Sequence, residues 1–221
     1  MSGEVWVSSV ISNYSIGDNQ GAREKFFGRQ WAPPTHIIAP EPEDVMNAHR
    51  RHKQGVRLCR EEMTEAMFVF DEERWKRVDD LFMAGPFYAA KGRLAELLQT
   101  FDLGDGGLIE FPIFQADKRT PLPGPFYLLN FGCQKDTFLP EQSRGVKLWF
   151  SVEDAGFELW QVNLALEDGD IAVGPSARSG CDLWFEKRLH ERIFTSGRLH
   201  DAIVAADLNI DFKFAKARTI G

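Results

Sequence analysis

Six acidic side chains lie in one stretch of the sequence that contains no lysine or arginine. This stretch runs from Leu148 to Ala177 and accounts for six of the seven formal negative charges of the chain. The six residues are Glu153, Asp154, Glu158, Glu167, Asp168 and Asp170. Carboxylates in a cleft can serve as general acid and base, provided that burial or a neighbouring charge shifts their pKa. On a surface, the same groups steer a basic partner and raise the association rate.

We interpret these six residues as binding a partner protein, and a small-molecule enzyme that uses clustered carboxylates is the alternative. The acidic groups gather in two turns, EDAGFE and LEDGD, and turn carboxylates are usually exposed. If the intervening strand of about ten residues is straight, the two turns lie at opposite ends of a hairpin. A single acidic patch is therefore not required, and we do not predict an enzyme.

The histidines and cysteines do not form a metal-binding or nucleophilic pattern. His49 and His52 are three residues apart, but the flanking Arg50, Arg51 and Lys53 repel a cation. The three cysteines are Cys59, Cys133 and Cys181. They are widely separated and include no CxxC pair, so the sequence predicts three free thiols and neither a disulfide framework nor a zinc site.

A glycine-rich segment, Gly104 to Gly107, is the one candidate for a phosphate-binding loop. It follows a predicted helix and precedes a predicted strand, which is the reverse of the order in which a helix N-terminus binds phosphate. We interpret this segment as a turn, and we predict no cofactor and no metal.

The most legible structural unit is the stretch Gly180 to Ala217, which predicts a strand, a helix and a closing strand. Leu199, Ala202, Ile203 and Ala206 fall at i, i+3, i+4 and i+7, which places one apolar stripe on one helix face. Further on, Phe212 and Phe214 alternate with charged residues, as in a strand with one buried face. The apolar stripe of the helix can therefore pack against a sheet that is close in sequence.

This unit has a second copy earlier in the chain. Lys91-Gly92-Arg93-Leu94 aligns with Ser196-Gly197-Arg198-Leu199, and Leu94, Leu97, Leu98 and Phe101 repeat the apolar stripe. The shared Gly-Arg-Leu and the Asp-Leu at each helix end favour a duplicated strand–helix–strand unit over a chance similarity of two amphipathic helices.

The segments PFYLLNF, VKLWFSVE and FELWQVNLAL read as strands and predict an antiparallel core sheet. We therefore expect an α+β fold, with a mostly antiparallel sheet and helices packed largely on one side. Residues 86–221 form the predicted domain with the internal duplication. Residues 1–85 begin with a predicted strand, Glu4 to Ile11, and either complete the same sheet or form a separate lid.

Charge and hydropathy restrict the function classes. The formal net charge is −7, which argues against nucleic acid as the main partner because backbone binding needs clustered lysine and arginine. No run approaches the ~18 consecutive apolar residues of a membrane helix, and the first residues lack a basic segment followed by an apolar core. We expect a cytoplasmic protein with no membrane partner.

Residues 86–217 resemble a known family. The resemblance is carried by TPLPGPFYLLNF (Thr120 to Phe131), preceded by LAELLQTF and IEFPIF, and by DLWFEKRLHERIFTSGRLHDAIVAADL (Asp182 to Leu208). These segments are similar to a widespread bacterial immunity-protein family of polymorphic toxin systems, long described as a domain of unknown function. Its motif corresponds here to Asp182, Trp184, Phe194, Ser196, Arg198 and Leu199.

The resemblance implies an intracellular protein that binds and neutralises a cognate toxin encoded beside it. It implies structural motif residues and supplies no catalytic ones, and it does not identify the toxin. Combined with the acidic segment, it leads us to expect a basic toxin, for which a nuclease is the best candidate. The oligomeric state is left open.

Overall fold

The computed structural model describes residues 3–10, 16, 20–34, 42–208 and 210–221. The strands are β1 (Val5–Ser8), β2 (Ala22–Phe26), β3 (Thr64–Val69), β4 (Leu81–Ala84), β5 (Phe87–Lys91), β6 (Gly107–Glu110), β7 (Ile113–Phe114), β8 (Phe126–Asn130), β9 (Gln134–Lys135), β10 (Val146–Val152), β11 (Phe157–Val162), β12 (Ala172–Val173), β13 (Leu183–Glu186), β14 (Ile193–Ser196), β15 (Phe214–Lys216) and β16 (Arg218–Thr219). The helices are α1 (Glu43–His52), α2 (Glu72–Trp75), α3 (Gly92–Leu98) and α4 (Gly197–Ala205).

Two sheets make up most of the fold. One is antiparallel and has the strand order β4-β5-β8-β6, and the other has the order β15-β1-β14-β13-β9, with only β9 parallel to its neighbour. Three smaller sheets are β2-β3-β7, β10-β11 and the parallel pair β12-β16. The predicted α+β class with mostly antiparallel pairing is confirmed. None of the helices within the described ranges is long and apolar enough to cross a lipid bilayer.

The helices α3 and α4 share one hydrophobic core with both large sheets. Leu94 and Leu98 of α3 are buried in the same cluster as Leu199 and Ile203 of α4. The same cluster contains buried leucines of β8 and β13. The i, i+3, i+4 spacing of the two stripes therefore predicts the buried helix faces correctly, because that spacing places the side chains on one side of a helix.

The strand order around each of these helices is the same. In the first sheet, the hairpin β4-β5 leads directly into α3, and β8 lies between β5 and the closing strand β6. In the second sheet, the hairpin β13-β14 leads into α4, and β1 lies between β14 and the closing strand β15. The central strand follows the unit in the first case and comes from the start of the chain in the second. This common order does not confirm the duplication, which stays a prediction.

The strand predicted at the start of the chain is present as β1, and Ile11 at its predicted end lies outside the described residues. Val5 and Val7 are each 1% exposed. Val5 pairs with Ser196, and Val7 pairs with Ala215 on the other side. The first residues thus supply an interior strand of the sheet that carries α4.

The prediction that VKLWFSVE and FELWQVNLAL join the core sheet is wrong. They form β10 and β11, which pair with each other as a separate two-stranded hairpin. A register shift between Leu148 and Phe150 reverses the faces of β10, so its alternating apolar residues do not line one buried side. Six of the seven β10 residues are exposed.

The prediction of three free thiols is also wrong. Cys133 and Cys181 form a disulfide, with their Cα atoms 6.6 Å apart, and Cys59 is free and exposed. Cys133 immediately precedes β9 and Cys181 lies just before β13, and these two strands are parallel neighbours. Because parallel strands begin at the same edge of a sheet, their preceding residues meet. The two cysteines are 48 residues apart, so spacing alone could not reveal the pairing.

Candidate protein-binding site

The hairpin of β10 and β11, Val146–Val162, is called the arm below. Its pairs run from Val146 with Val162 to Val152 with Phe157, and a single 3-10 turn, Glu153–Ala155, closes its tip. Gly156 ends this turn with φ of 57°, a left-handed conformation that glycine adopts without steric cost. At ~3.4 Å per residue, β10 extends roughly 24 Å.

The arm is attached to the rest of the fold at its base. The Trp160 N–H donates to the Arg188 carbonyl, and the His190 N–H donates to the Trp160 carbonyl, both at 2.8 Å. Val146, Trp160 and Val162 pack against the buried cluster around Trp184. These contacts hold β11 against the rest of the fold.

The register shift at Trp149 places apolar side chains on both faces of the arm. Directly opposed residues of an antiparallel pair share a face, and neighbours along a strand lie on opposite faces. Leu148 shares its face with Trp160, and Phe150 shares the opposite face with Leu159. Trp149 sits at the bulge, where its ring lies 4.1 Å from that of His190.

The exposed fractions of these side chains distinguish the arm from an ordinary surface hairpin. Leu148 is 46% exposed, Trp149 52% and Phe150 54%, and they are consecutive. Val152 and Phe157 continue the face of Phe150 toward the tip. Single exposed apolar residues need no explanation, but several close together on one hairpin are characteristic of a binding surface.

Three of the predicted partner-binding residues lie at the tip of the arm. Glu153 and Asp154 are exposed in the closing turn. Glu158 follows on β11, where it is half-buried and accepts a hydrogen bond of 3.2 Å from the Trp160 Nε1–H. The tip thus combines three carboxylates with the exposed apolar residues of the arm.

The other three predicted residues, Glu167, Asp168 and Asp170, lie at the opposite end of β11. Asp168 accepts a hydrogen bond from the Lys216 N–H, at 2.7 Å, and Asp170 forms an ion pair with Arg144. They belong to a turn that is hydrogen-bonded to β15 and carries basic neighbours. The structure therefore separates the six carboxylates into two groups, as the two-turn interpretation allows, and only the first group lies on the arm.

The motif residues of the family resemblance form the core and the start of α4. Asp182 is 2% exposed, and its carboxylate accepts bonds of 2.5 Å from both the Ser196 hydroxyl and the Arg198 guanidinium. The Asp102 N–H donates to the same carboxylate at 3.1 Å. Burial opposes ionisation, but the hydrogen bonds from Ser196 and Arg198 lower the pKa of Asp182 below its usual value. The Ser196 hydroxyl in turn accepts from the Leu199 N–H and caps the helix.

Asp80 has the corresponding position in the first sheet. It precedes β4 as Asp182 precedes β13, and its carboxylate accepts from the Leu94 N–H of α3 at 3.2 Å. Of the remaining motif residues, Trp184, Phe194 and Leu199 are almost completely buried. These residues therefore position helices and fill the core.

A cluster of charged residues at the base of the arm was not predicted from the sequence. The Lys53 Nζ lies 3.1 Å and the His190 Nε2 lies 3.2 Å from the same oxygen of Glu191, Oε1. The hydrogen bond from His190, together with the positive charge of Lys53, lowers the pKa of Glu191 to about 2 despite its burial. Glu191 also has φ of 49°, which is rare for a residue with a side chain. Only its adjacency to His190 is visible in the sequence.

The two histidines of α1 lie in or near the core. His52 is completely buried, and its Nε2 accepts a bond of 3.2 Å from the Tyr88 N–H. Burial lowers the pKa of His52 to about 3 and the pKa of His49 to about 4. Across the described ranges, no three His, Cys, Asp or Glu side chains are grouped as metal ligands.

The neutral state of His52 predicts an acid-sensitive stability. Its pKa is about 3 in the folded protein and about 6.5 when unfolded, so folding releases a proton below pH 6.5. We expect this destabilising effect to be absent above about pH 7.5 and roughly 2–3 kcal/mol of the free energy of unfolding to be lost by pH 4.5, at ~1.4 kcal/mol per unit. His49 acts in the same direction, and Glu191 adds to the loss only below about pH 4.5, where its unfolded form binds protons.

Urea denaturation at several pH values measures this loss. The control is His52→Gln, whose side-chain oxygen can still accept from the Tyr88 N–H but does not titrate. This variant should show a flatter stability profile between pH 6.5 and 4.5. An equally steep profile in the variant would show that His52 is not the group responsible.

No protein-family model matches the chain, and no curated protein matches it at a significant level. The functional interpretation therefore depends on the geometry of the arm, on the charge of its tip and on the resemblance described above.

Proposed function

We propose that this protein acts by binding another protein through the arm. The observation that carries this proposal is the group of three consecutive half-exposed apolar residues, Leu148 to Phe150, on a hairpin that contributes little to the core. Burying such a group against a partner removes apolar area from water, and aromatic residues are enriched among those that dominate binding energy. The acidic tip adds a preference for a basic surface.

We further propose that the partner is a toxin and that the protein is its cytoplasmic immunity protein. Two features support this finer proposal. The first is the resemblance of residues 86–217 to immunity proteins. The second is the acidic tip, because a basic toxin such as a nuclease offers complementary charge. Neutralisation would be by occlusion, with no chemistry performed on the toxin.

The alternative, an enzyme that uses the six carboxylates together, has less support. A catalytic pair has to converge on one substrate, and the carboxylates lie in two groups at opposite ends of β11. Glu153 and Asp154 are exposed in the turn that closes the hairpin, a position that suits contact with another protein better than a water-excluded cleft.

Co-expression with the product of the adjacent gene tests the proposed function. Rescue of growth together with co-elution on a sizing column is the expected result. Rescue without a complex would favour an enzyme that repairs or modifies the target of the toxin. If neither occurs, the proposal of an immunity protein is wrong for this partner.

Charge reversal at the tip should slow association with the partner. In the variant Glu153→Lys, Asp154→Lys, Glu158→Lys, the association rate at low salt should fall about tenfold or more, because steering depends on the local potential. The dissociation rate should change less, and the difference from the wild type should shrink at about 0.5 M salt, where the Debye length is only a few ångströms. Stopped-flow or surface-binding kinetics at two salt concentrations measures both rates.

A matched control distinguishes the effect of the position of the charges from the effect of the changed net charge. Glu61, Glu72 and Asp105 are exposed and lie outside the arm, so replacing these three by lysine changes the net charge equally. This control should retain most of the association rate. Equal slowing in both triple variants would contradict a specific role for the tip.

A further inference from the structure

The outer edge of β10 has no neighbouring strand in the described part of the chain. The arm is a sheet of two strands, in which β10 pairs with β11 on one side only. The other edge of β11 is occupied at Trp160, whose N–H donates to the Arg188 carbonyl and whose carbonyl accepts from the His190 N–H. Six of the seven β10 residues are exposed, so the free edge of the arm belongs to β10.

The register of the arm shows which backbone groups of β10 face this edge. Along an antiparallel pair, directly opposed residues alternate between pairs that bond to each other and pairs whose N–H and C=O groups point outward. The Trp160 backbone bonds outward, so the backbone of Leu148, which is paired with Trp160, also points outward. Glu158 is two residues from Trp160 and is paired with Ser151. Leu148 and Ser151 therefore present open donors and acceptors at the free edge.

The charges of β10 differ between its two ends. Lys147 lies near the start, and Glu153 and Asp154 follow the last residue in the closing turn. All three side chains are exposed, and none of them forms an ion pair with another described residue. A lysine in an edge strand normally discourages pairing with another strand. An antiparallel second copy removes that obstacle, because it brings the start of one β10 beside the acidic end of the other.

We propose that two copies of this chain associate through β10, with the two strands antiparallel about a two-fold axis. In the register that matches the outward groups, Leu148 of each copy lies opposite Ser151 of the other, and each such pair exchanges two backbone hydrogen bonds. Lys147 then lies diagonally across from Asp154 of the other copy, within reach of a long side chain. Both contacts occur twice, as a two-fold interface requires.

The association should stop at two copies. The pairing forms a sheet of four strands in the order β11-β10-β10-β11, which uses the free edge of each arm. Both outer strands are then β11, whose far edge is bonded to Arg188 and His190 at Trp160. The product is a closed dimer and not a growing chain of copies.

This inference goes beyond the proposed function. The second copy occupies the edge of the arm, whereas the partner protein is proposed to contact its apolar side chains and its acidic tip. Side chains of a sheet point away from its two faces, so edge pairing leaves both faces of the arm exposed. The dimer therefore presents the apolar residues Leu148 to Phe150 of two copies on one sheet.

Sedimentation velocity of the full chain over a range of concentrations tests the association. An interface of two short strands is small, so we expect a monomer at about 1 μM and a species of twice the mass at about 300 μM. A monomer throughout this range would overturn the inference. A mass that keeps growing with concentration would overturn it too, since pairing through β10 is limited to two copies.

Proline at position 151 tests whether this edge is the contact. Ser151→Pro removes an N–H that points outward and spares the bonds between β10 and β11, because edge strands tolerate proline at such positions. The dimer Kd should rise at least about tenfold. The control Ser151→Ala keeps the N–H and should leave the Kd unchanged. Unweakened dimers of Ser151→Pro would show that the copies do not meet at β10.

Two charge variants test the antiparallel orientation even if the proline variant fails to fold. Lys147→Glu places a carboxylate beside the acidic turn of the other copy, and the double variant Glu153→Lys, Asp154→Lys places lysines beside Lys147. Each variant alone should raise the dimer Kd at least about threefold at low salt, because like charges then meet.

An equimolar mixture of these two variants is the decisive measurement. Lysines and carboxylates then meet at both contacts of a mixed dimer, so its affinity should return to that of the wild type. A mixture that stays monomeric at concentrations where the wild type is dimeric would rule out the antiparallel pairing. If the chain is always monomeric and Ser151→Pro weakens binding of a co-expressed partner, the edge receives that partner and the inference is wrong.

Discussion

Replacing Trp149 and Phe150 by alanine should weaken binding of the partner protein at least about 100-fold. The two side chains are 52% and 54% exposed in the free protein, so about half of each is available to be buried by a partner. Truncation of a central aromatic anchor costs ~2–4 kcal/mol of binding free energy, and ~1.4 kcal/mol corresponds to a factor of ten. Isothermal titration with the purified partner protein measures the change.

In the same double variant, the free energy of unfolding should fall by less than the ~3–5 kcal/mol that one fully buried Phe→Ala or Trp→Ala replacement costs, because both side chains are half exposed. Met46 on α1 and Val204 on α4 provide the matched control, since they are 39% and 60% exposed and lie outside the arm. Their replacement by alanine should leave affinity unchanged. If the Trp149 and Phe150 variant keeps full affinity, the arm is not the binding surface.

The second large effect concerns stability. Asp182→Ala should reduce the free energy of unfolding by about 2–3 kcal/mol, because the carboxylate is buried and its removal leaves several hydrogen-bond donors without an acceptor, although Arg198 itself is half exposed. The Asp102 N–H and the Ser196 hydroxyl lose their acceptor, and the Arg198 guanidinium loses its counter-ion. Urea or thermal denaturation measures this loss.

Asp80→Ala is the matched control for this prediction. Asp80 holds the start of α3 as Asp182 holds the start of α4, but its side chain is 27% exposed and its contact with Lys91 is 3.9 Å long. We therefore expect a smaller loss, about 1 kcal/mol, typical of a missing helix cap. Equal losses in the two variants would mean that the additional bonds of Asp182 contribute nothing measurable.

The spacing of apolar residues along the sequence was sufficient to predict the buried helix faces and one core strand. The stripes of α3 and α4 are buried as predicted, because the positions i, i+3 and i+4 share a face in any α-helix. The strand β8 was also recognised from its continuous apolar run. The two acidic turns were placed correctly at opposite ends of β11, since a strand separates its ends by a known length.

The two strands of the arm were wrongly predicted to join the core sheet, because one β-bulge moves part of the alternating apolar residues to the opposite face. Val146, Leu148, Phe150 and Val152 alternate as if they lined one face, and the shift at Trp149 divides them between two. Nothing in the spacing of the residues marks that shift.

The disulfide and the charged cluster at the base of the arm depend on contacts between distant segments. Cys133 and Cys181 meet because β9 and β13 are neighbours. In the cluster, Lys53 follows α1, whereas His190 and Glu191 lie just before β14. Residue types and spacing along the sequence give no information on such tertiary contacts, because the contacts depend on the order of the strands in the sheets.

The interior position of β1 has a consequence for how the protein is made. Val5 pairs with Ser196 and Val7 with Ala215, so the first strand leaves the ribosome long before either of its neighbours exists. At ~5–20 residues per second, this delay lasts roughly 10 to 40 seconds. During that time a strand that is almost entirely buried in the finished protein has to be shielded by other parts of the nascent chain or by a chaperone. Any product that terminates before Ile193 retains this strand with neither partner, which makes incomplete chains prone to aggregation and degradation.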